Sequence, residues 1–274
     1  MDLLSWFTVS WYWYAVFASL VILEIIYAVI LMHDPSPERR ARGYSQLLDA
    51  LEAVVYGTLL LGAIIFVSST VIVGVNIVDP RTAENYWGNV TQRLINYQLS
   101  LALLDRDLTM TVIFSPLTGT LNSASLLARI MAQYLLFFAV AMLFLTRLAI
   151  SYGTLMVSIG LALTSTRRLR SIGPYLVFSL ISIAVLSGGL APYVYNAIQQ
   201  LQFNYTSGII DVFAEAFKQF FMGRLDQVIN DGKLLAEVAI VVSVISALVL
   251  AIAAASSRAA GGLADTLIAR VRGL

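Results

Sequence analysis

Between Ile130 and Ser165 the chain places a single charge, Arg147, in a run of aliphatic and aromatic side chains (IMAQYLLFFAVAMLFLTRLAISYGTLMVSIGLALTS). A run of about 18 apolar residues already spans ~30 Å of hydrocarbon, so a stretch this long cannot belong to an ordinary water-soluble core. The rest of the sequence agrees: 59% of the 274 side chains are hydrophobic and 12% are charged, against about 25% charged in a typical soluble domain. The apolar residues come in continuous blocks and not in half-apolar periodic stripes, and such blocks are read as membrane spans. The expected fold class is therefore all-α, a polytopic helical membrane protein forming one membrane domain over 1–274.

Five crossings are predicted, at about 11–32, 52–78, 130–165, 172–195 and 234–255. Trp6, Trp11, Tyr12, Trp13 and Tyr14 gather at the start of the first, where amphipathic rings mark a membrane interface. The segment HDPSPERRARGYS, with two prolines, predicts a short positive loop carrying Arg39, Arg40 and Arg42. Asp79-Pro80 closes the second span. Residues 79–128 are too polar to cross, and Leu94, Tyr97, Leu101 and Leu104 recur at helical spacing, so a helix on the membrane or on the protein's own outer surface is expected there.

Whether 130–165 crosses once or twice is decided by charge. TRRLR puts Arg167, Arg168 and Arg170 in a tiny loop, and cytoplasmic loops gather arginine. One crossing puts this loop on the side of Arg39, Arg40 and Arg42, together with the C-terminal Arg258, Arg270 and Arg272. That topology has the N-terminus outside, the C-terminus in the cytoplasm, and two outer segments, 79–128 and 198–232. In the second outer segment Ile210, Phe213, Phe217, Phe221, Leu225 and Val228 share one helical face, predicting another amphipathic outer helix. Both N-x-[ST] sequons, at Asn89 and Asn204, fall in the outer segments and are candidate N-glycosylation sites.

Glu24, Arg147 and Glu237 are ionisable residues at membrane depth, where a charge must be paired or wetted. Glu237 lies near the end of its span and can reach the outer interface. Glu24 and Arg147 form a candidate intramembrane pair, although ten residues, ~15 Å, separate them in depth when each is counted from its cytoplasmic end. Asp49 and Glu52 read as solvated counterions beside the arginine loop, and His33 as an interfacial residue. Gly57, Gly62 and Gly74, with Gly188-Gly189 and Pro192, suit close helix packing or a kink. The chain has no cysteine and one histidine, so no His/Cys metal cluster or disulfide is expected, and no catalytic or cofactor motif appears. No enzymatic activity and no cofactor are expected. The net charge of +1 gives no strongly basic face for nucleic acid.

Residues 130–200 combine a long apolar stretch with a mid-span arginine, GLAL before an arginine-rich loop, and R-x-x-G-x-x-L opening a further span that ends near a proline. This resembles the TrbL-type polytopic channel subunit of type IV secretion systems, in particular the CedA-like membrane protein of the crenarchaeal DNA-exchange system. The resemblance implies a channel component for DNA import or exchange at the plasma membrane, working as a homo-oligomer with a partner ATPase of HerA or conjugation type. It also implies small pilin-like membrane proteins as partners and DNA as the passenger. The competing expectations are a permease for a small solute, using Glu24 and Arg147, and a pore-less assembly factor for a surface filament.

Overall fold

The structure is a computed structural model and describes residues 11–69, 77–110, 115–165, 172–205 and 224–272. Among these the chain is all-helical, with six helices and no strand: α1 Trp11–Met32, α2 Pro37–Ser69, α3 Pro80–Met110, α4 Ser115–Ser165, α5 Ile172–Gln199 and α6 Arg224–Arg272. Four of them contain stretches long and apolar enough to cross a membrane, at Ala15–Met32, Thr118–Leu163, Ile172–Gln199 and Leu225–Ala259. The apolar half of the second expected span continues past Ser69 into residues outside the described set.

The first correction concerns the arginine loop. The turn is confined to residues 33–36, and Arg39, Arg40 and Arg42 occupy the exposed first turns of α2. Proline does not prevent this, because Pro37 stands at the first helical position, where its missing N–H would have had no partner anyway. The Ser36 hydroxyl caps the helix by accepting the Arg39 backbone N–H at 3.3 Å. Asp34 accepts the Ser36 amide at 3.0 Å and the Arg39 guanidinium at 3.0 Å. These two contacts, the amide first, hold the Asp34 carboxyl below its ordinary range. What the turn gains from that charge is present above the usual carboxylate range and lost as pH falls through the lowered value. The His33 Nδ1 contacts the Val29 carbonyl at 2.9 Å, at the end of α1.

The chain divides into two compact units. Unit one takes 1–80, 146–188 and 247–274, and unit two takes 81–145 and 189–246. In unit one α1 packs antiparallel on α2, and the approach is closest at Gly43. A Cβ there would stand 2.8 Å from the Met32 backbone nitrogen and 2.9 Å from the Ala28 carbonyl, and backbone cannot step aside. α4 and α5 approach closely at Gly160, where a Cβ would meet Val177 at 2.9 Å and the Gly173 carbonyl at 3.1 Å. The buried Thr146 and Ser187 hydroxyls bond to each other across the same pair of helices. Gly62, expected at a close contact, has nothing within 4 Å among the described residues, and a Cβ at Gly57 would meet the ring of Phe17.

α5 shows how an apolar helix tolerates an internal proline. Pro192 cannot donate to the Gly188 carbonyl four residues earlier. The Val78 backbone N–H supplies the donor instead, at 3.1 Å, tying the segment after α2 to α5.

In unit two, α3 buries Ala83, Trp87, Val90, Leu94, Tyr97, Leu101, Leu104 and Leu108 along one face. The four positions expected from sequence are among them, and that face is sealed against protein, so it does not rest on lipid. Trp87 meets Phe138 of α4 edge-on, with ring centroids 5.8 Å apart. α4 is one uninterrupted helix, continuous through Ser151-Tyr152-Gly153, and it begins at Ser115, well before the expected start at 130. α6 likewise begins at Arg224, ten residues before the apolar run. Of the amphipathic face expected over 210–228, Ile210, Phe213, Phe217 and Phe221 lie outside the described residues, and Val228 is buried.

Replacing Gly43 by Val is expected to destabilise the protein by about 1–3 kcal/mol through overpacking. Gly62→Ala, where no described residue crowds the new methyl, should be neutral or stabilising by up to about 1 kcal/mol. Thermal unfolding in detergent reads both; equal effects would contradict the close approach at Gly43.

Candidate functional site

In unit two α3, the coil 200–205 and α6 are joined by side-chain hydrogen bonds. The amides of Gln200 and Leu201 still bond to the Ala197 and Ile198 carbonyls of α5, at 3.0 and 3.3 Å, but those of Gln202 and Phe203 lie beyond the helix, and an apolar setting makes unmet amides expensive. Asp231 of α6, only 3% exposed, meets this need: its two carboxylate oxygens accept the backbone N–H groups of Gln202 at 3.1 Å and Phe203 at 3.0 Å. Arg93 of α3 donates to the Leu201 carbonyl at 3.1 Å. Tyr205 donates from its hydroxyl to Asp107 at 3.0 Å, and the same carboxylate takes Nε and Nη2 of Arg106 at 3.0 and 2.8 Å. The Ser100 hydroxyl donates to the Asn204 side-chain oxygen at 3.4 Å.

These contacts position a coil; they do not form a reactive centre. Tyr97 lies among them with its hydroxyl buried and no partner among the described residues. Burial, and then the charge of Asp231, push its phenol above the ordinary range, so it stays a neutral O–H. Among the described residues no three His, Asp or Glu side chains gather closely enough to hold a metal.

The outer surface of unit two is divided by chemistry. On α3 the carboxamides of Asn85, Asn89, Gln92 and Asn96 follow one another at steps of four and three and are all exposed. On α4 the exposed side chains include Tyr134, Phe137 and Val140, and on α6 Ile240 and Val244.

Of the residues singled out from sequence, Glu24 is half-buried on α1 and Arg147 is exposed on α4. Glu237 is exposed on α6 and Asp49 half-buried on α2. Glu52 departs from its expected solvated role: it is 7% exposed, on the packed side of α2 beside Ala53 and Tyr56. Asn89 is exposed in mid-helix, and Asn204 is exposed in the coil. Arg167, Arg168 and Arg170 lie outside the described residues.

The Asp231 clamp and the Tyr205–Asp107 contact were not anticipated. Asp231 carried a faint signal, since it continues the helical spacing of Val228, Leu235, Val238 and Val242 and puts a carboxylate on an apolar face. Unit one holds a cavity of about 140 Å³ between α5 and α6, lined by Phe178, Ile181, Val185, Val249, Ile252 and Ala253 with the hydroxyls of Ser182 and Ser256. The Ser182 hydroxyl is already engaged by the Phe178 carbonyl at 2.8 Å.

No protein-family model, curated protein or solved structure matches this chain.

Asp231→Ala is expected to orphan two amides and destabilise the protein by about 2–5 kcal/mol, at roughly 1–3 kcal/mol for each unsatisfied group. Asp231→Asn, which keeps one acceptor oxygen, should lose less. Hydrogen exchange at the Gln202 and Phe203 amides checks this, and unchanged protection in the alanine variant would contradict the clamp.

Proposed function

We propose that the chain is the channel-forming subunit of a DNA-transfer apparatus of the type IV secretion kind, acting at the plasma membrane as an oligomer. The reading begins from the resemblance of residues 130–200 to TrbL-type and CedA-like membrane proteins. One structural observation supports the assembly it requires. Exposed apolar side chains recur along α4 from Leu126 to Ile159, about 50 Å at ~1.5 Å per residue. A hydrocarbon layer of ~30 Å covers about 39 Å of helix even at a tilt of 40°. The surplus needs protein against it, from a second copy or a partner.

The cavity inside unit one argues in the same direction. At about 140 Å³ it has no room for a nucleic acid strand, and the proposed passage for DNA lies between copies. The proposal keeps five crossings, with the N-terminus outside and the arginine-bearing turns in the cytoplasm, as arginine placement favours. A membrane-bound ATPase and pilin-like membrane proteins complete the apparatus. A Glu24–Arg147 bridge inside unit one belongs to the same proposal, and it fails if Arg147→Ala destabilises the protein while Glu24→Ala has no effect.

Two experiments test the main reading. Detergent-extracted protein should appear in averaged electron micrographs as closed rings, and deletion of the gene should abolish DNA exchange between cells. Monomeric particles, or DNA exchange that survives the deletion, would overturn it.

A further inference from the structure

At one level of unit two the same bundle presents opposite chemistries. The level is set by contacts across the helices: Trp87 of α3 against Phe138 of α4, Tyr86 of α3 and Tyr195 of α5 with tilted rings 4.7 Å apart, and Tyr134 of α4 hydrogen-bonded at 2.8 Å to Ser243 of α6. Around these contacts α4 and α6 expose Phe137 at 68% and Ile240 at 63%, flanked by Tyr134, Val140 and Val244, with Gln133 and Glu237 exposed one turn nearer the starts of the two helices. On α3 the exposed positions of the same stretch are Asn85, Asn89, Gln92, Ile95 and Asn96, four carboxamides with one aliphatic side chain at their edge.

Each carboxamide carries two N–H donors and an acceptor oxygen. One bond runs along the stripe, from Gln92 Nε2 to Asn96 Oδ1 at 3.3 Å, and leaves most of that capacity unmet. Hydrocarbon cannot meet it, whereas water can. The large apolar side chains of α4 and α6 have the reverse requirement. A bundle apolar on one flank and rich in amides on another, at the same height, fits a boundary between lipid and water.

We propose that the α3 amide stripe lines an aqueous passage between copies of this chain, while α4 and α6 face lipid at the same level. The inference rests on the oligomeric channel reading and names the element that would face the lumen. Its chemistry suits a polyanion. Neutral amides exchange hydrogen bonds with a passing strand but hold it by no fixed charge, and conduction requires contacts weak enough to release. α3, which does not cross in the five-crossing arrangement, then dips from the outer side to the level of the lipid-facing side chains, with its polar face in water.

The chain has no cysteine, so single-cysteine variants report without background. Asn85→Cys, Asn89→Cys, Phe137→Cys and Ile240→Cys, all at exposed positions, would be treated in native membranes with a small charged methanethiosulfonate and, separately, with a bulky polyethylene-glycol maleimide. Thiolate is the reactive species and forms poorly in hydrocarbon, so the α3 positions should react at least about tenfold faster with the small reagent than Phe137→Cys and Ile240→Cys. Inside a passage they should resist the bulky one. Equal labelling on α3, α4 and α6 overturns the division between water and lipid, and silence on α3 overturns exposure of the stripe. Ready reaction of α3 with the bulky reagent, or a glycan on Asn89, makes α3 an open outer surface and overturns the lining. These outcomes leave the ring and DNA-exchange tests standing on their own. If rings form and the labelling pattern holds while DNA exchange survives deletion, the stripe lines a passage for a different passenger; monomeric particles overturn the lining.

Discussion

The need of every buried peptide group for a hydrogen-bond partner governs this protein more than any single side chain. In long apolar stretches water is not at hand, so the backbone satisfies itself as helix, and each break in a helix calls for a substitute. Three substitutes carry much of the tertiary structure. Ser36 and Asp34 satisfy amides at the turn between α1 and α2. The Val78 N–H fills the vacancy that Pro192 leaves at the Gly188 carbonyl. Asp231 takes the two amides of the coil after α5. Each substitute joins elements far apart in sequence or fixes the angle at which adjacent ones leave each other, so local backbone satisfaction becomes long-range architecture.

Apolar surface supplies the second theme. α5 buries 61% of its apolar window and α1 only 11%. α5 thus behaves as a core helix, while α1, α4 and α6 leave large side chains for surroundings that are themselves apolar. In unit two the two long helices do two things at once. There α4 and α6 present a lipid-compatible flank, and they hold a polar helix, α3, alongside it. The proposed role as a conduit subunit grows from that combination, since a passage for a charged polymer needs a wet wall and an outer face that lipid accepts.

Much of the fold was legible in the chain. The helical class follows from apolar runs too long for any other solution, and the buried face of α3 followed from Leu94, Tyr97, Leu101 and Leu104 at helical spacing. Helix starts were read poorly. The prolines of HDPSPERRARGYS and the small polar residues of SPLTGTLNSAS resemble loops, yet a proline at a first helical position ends nothing. Leu121, Ser125, Ala128 and Ala132 in turn already keep the period of a packed face. Hydropathy hid this, because it averages over both faces of a helix and α4 buries small residues.

What the sequence determined by itself is the solvent: the length of the apolar blocks and the scarcity of charge require helices in an apolar medium, because peptide groups there have no other partner. It could not decide which helix faces which, since Gly43 and Gly62 read alike until a neighbouring backbone lies against one and no described residue against the other. Nor could it show that Asp231 reaches back to residues 202 and 203, or that the amides of α3 and the aromatic and aliphatic side chains of α4 and α6 share one level. Those facts depend on contacts between residues far apart in the chain, and only the tertiary structure brings them together.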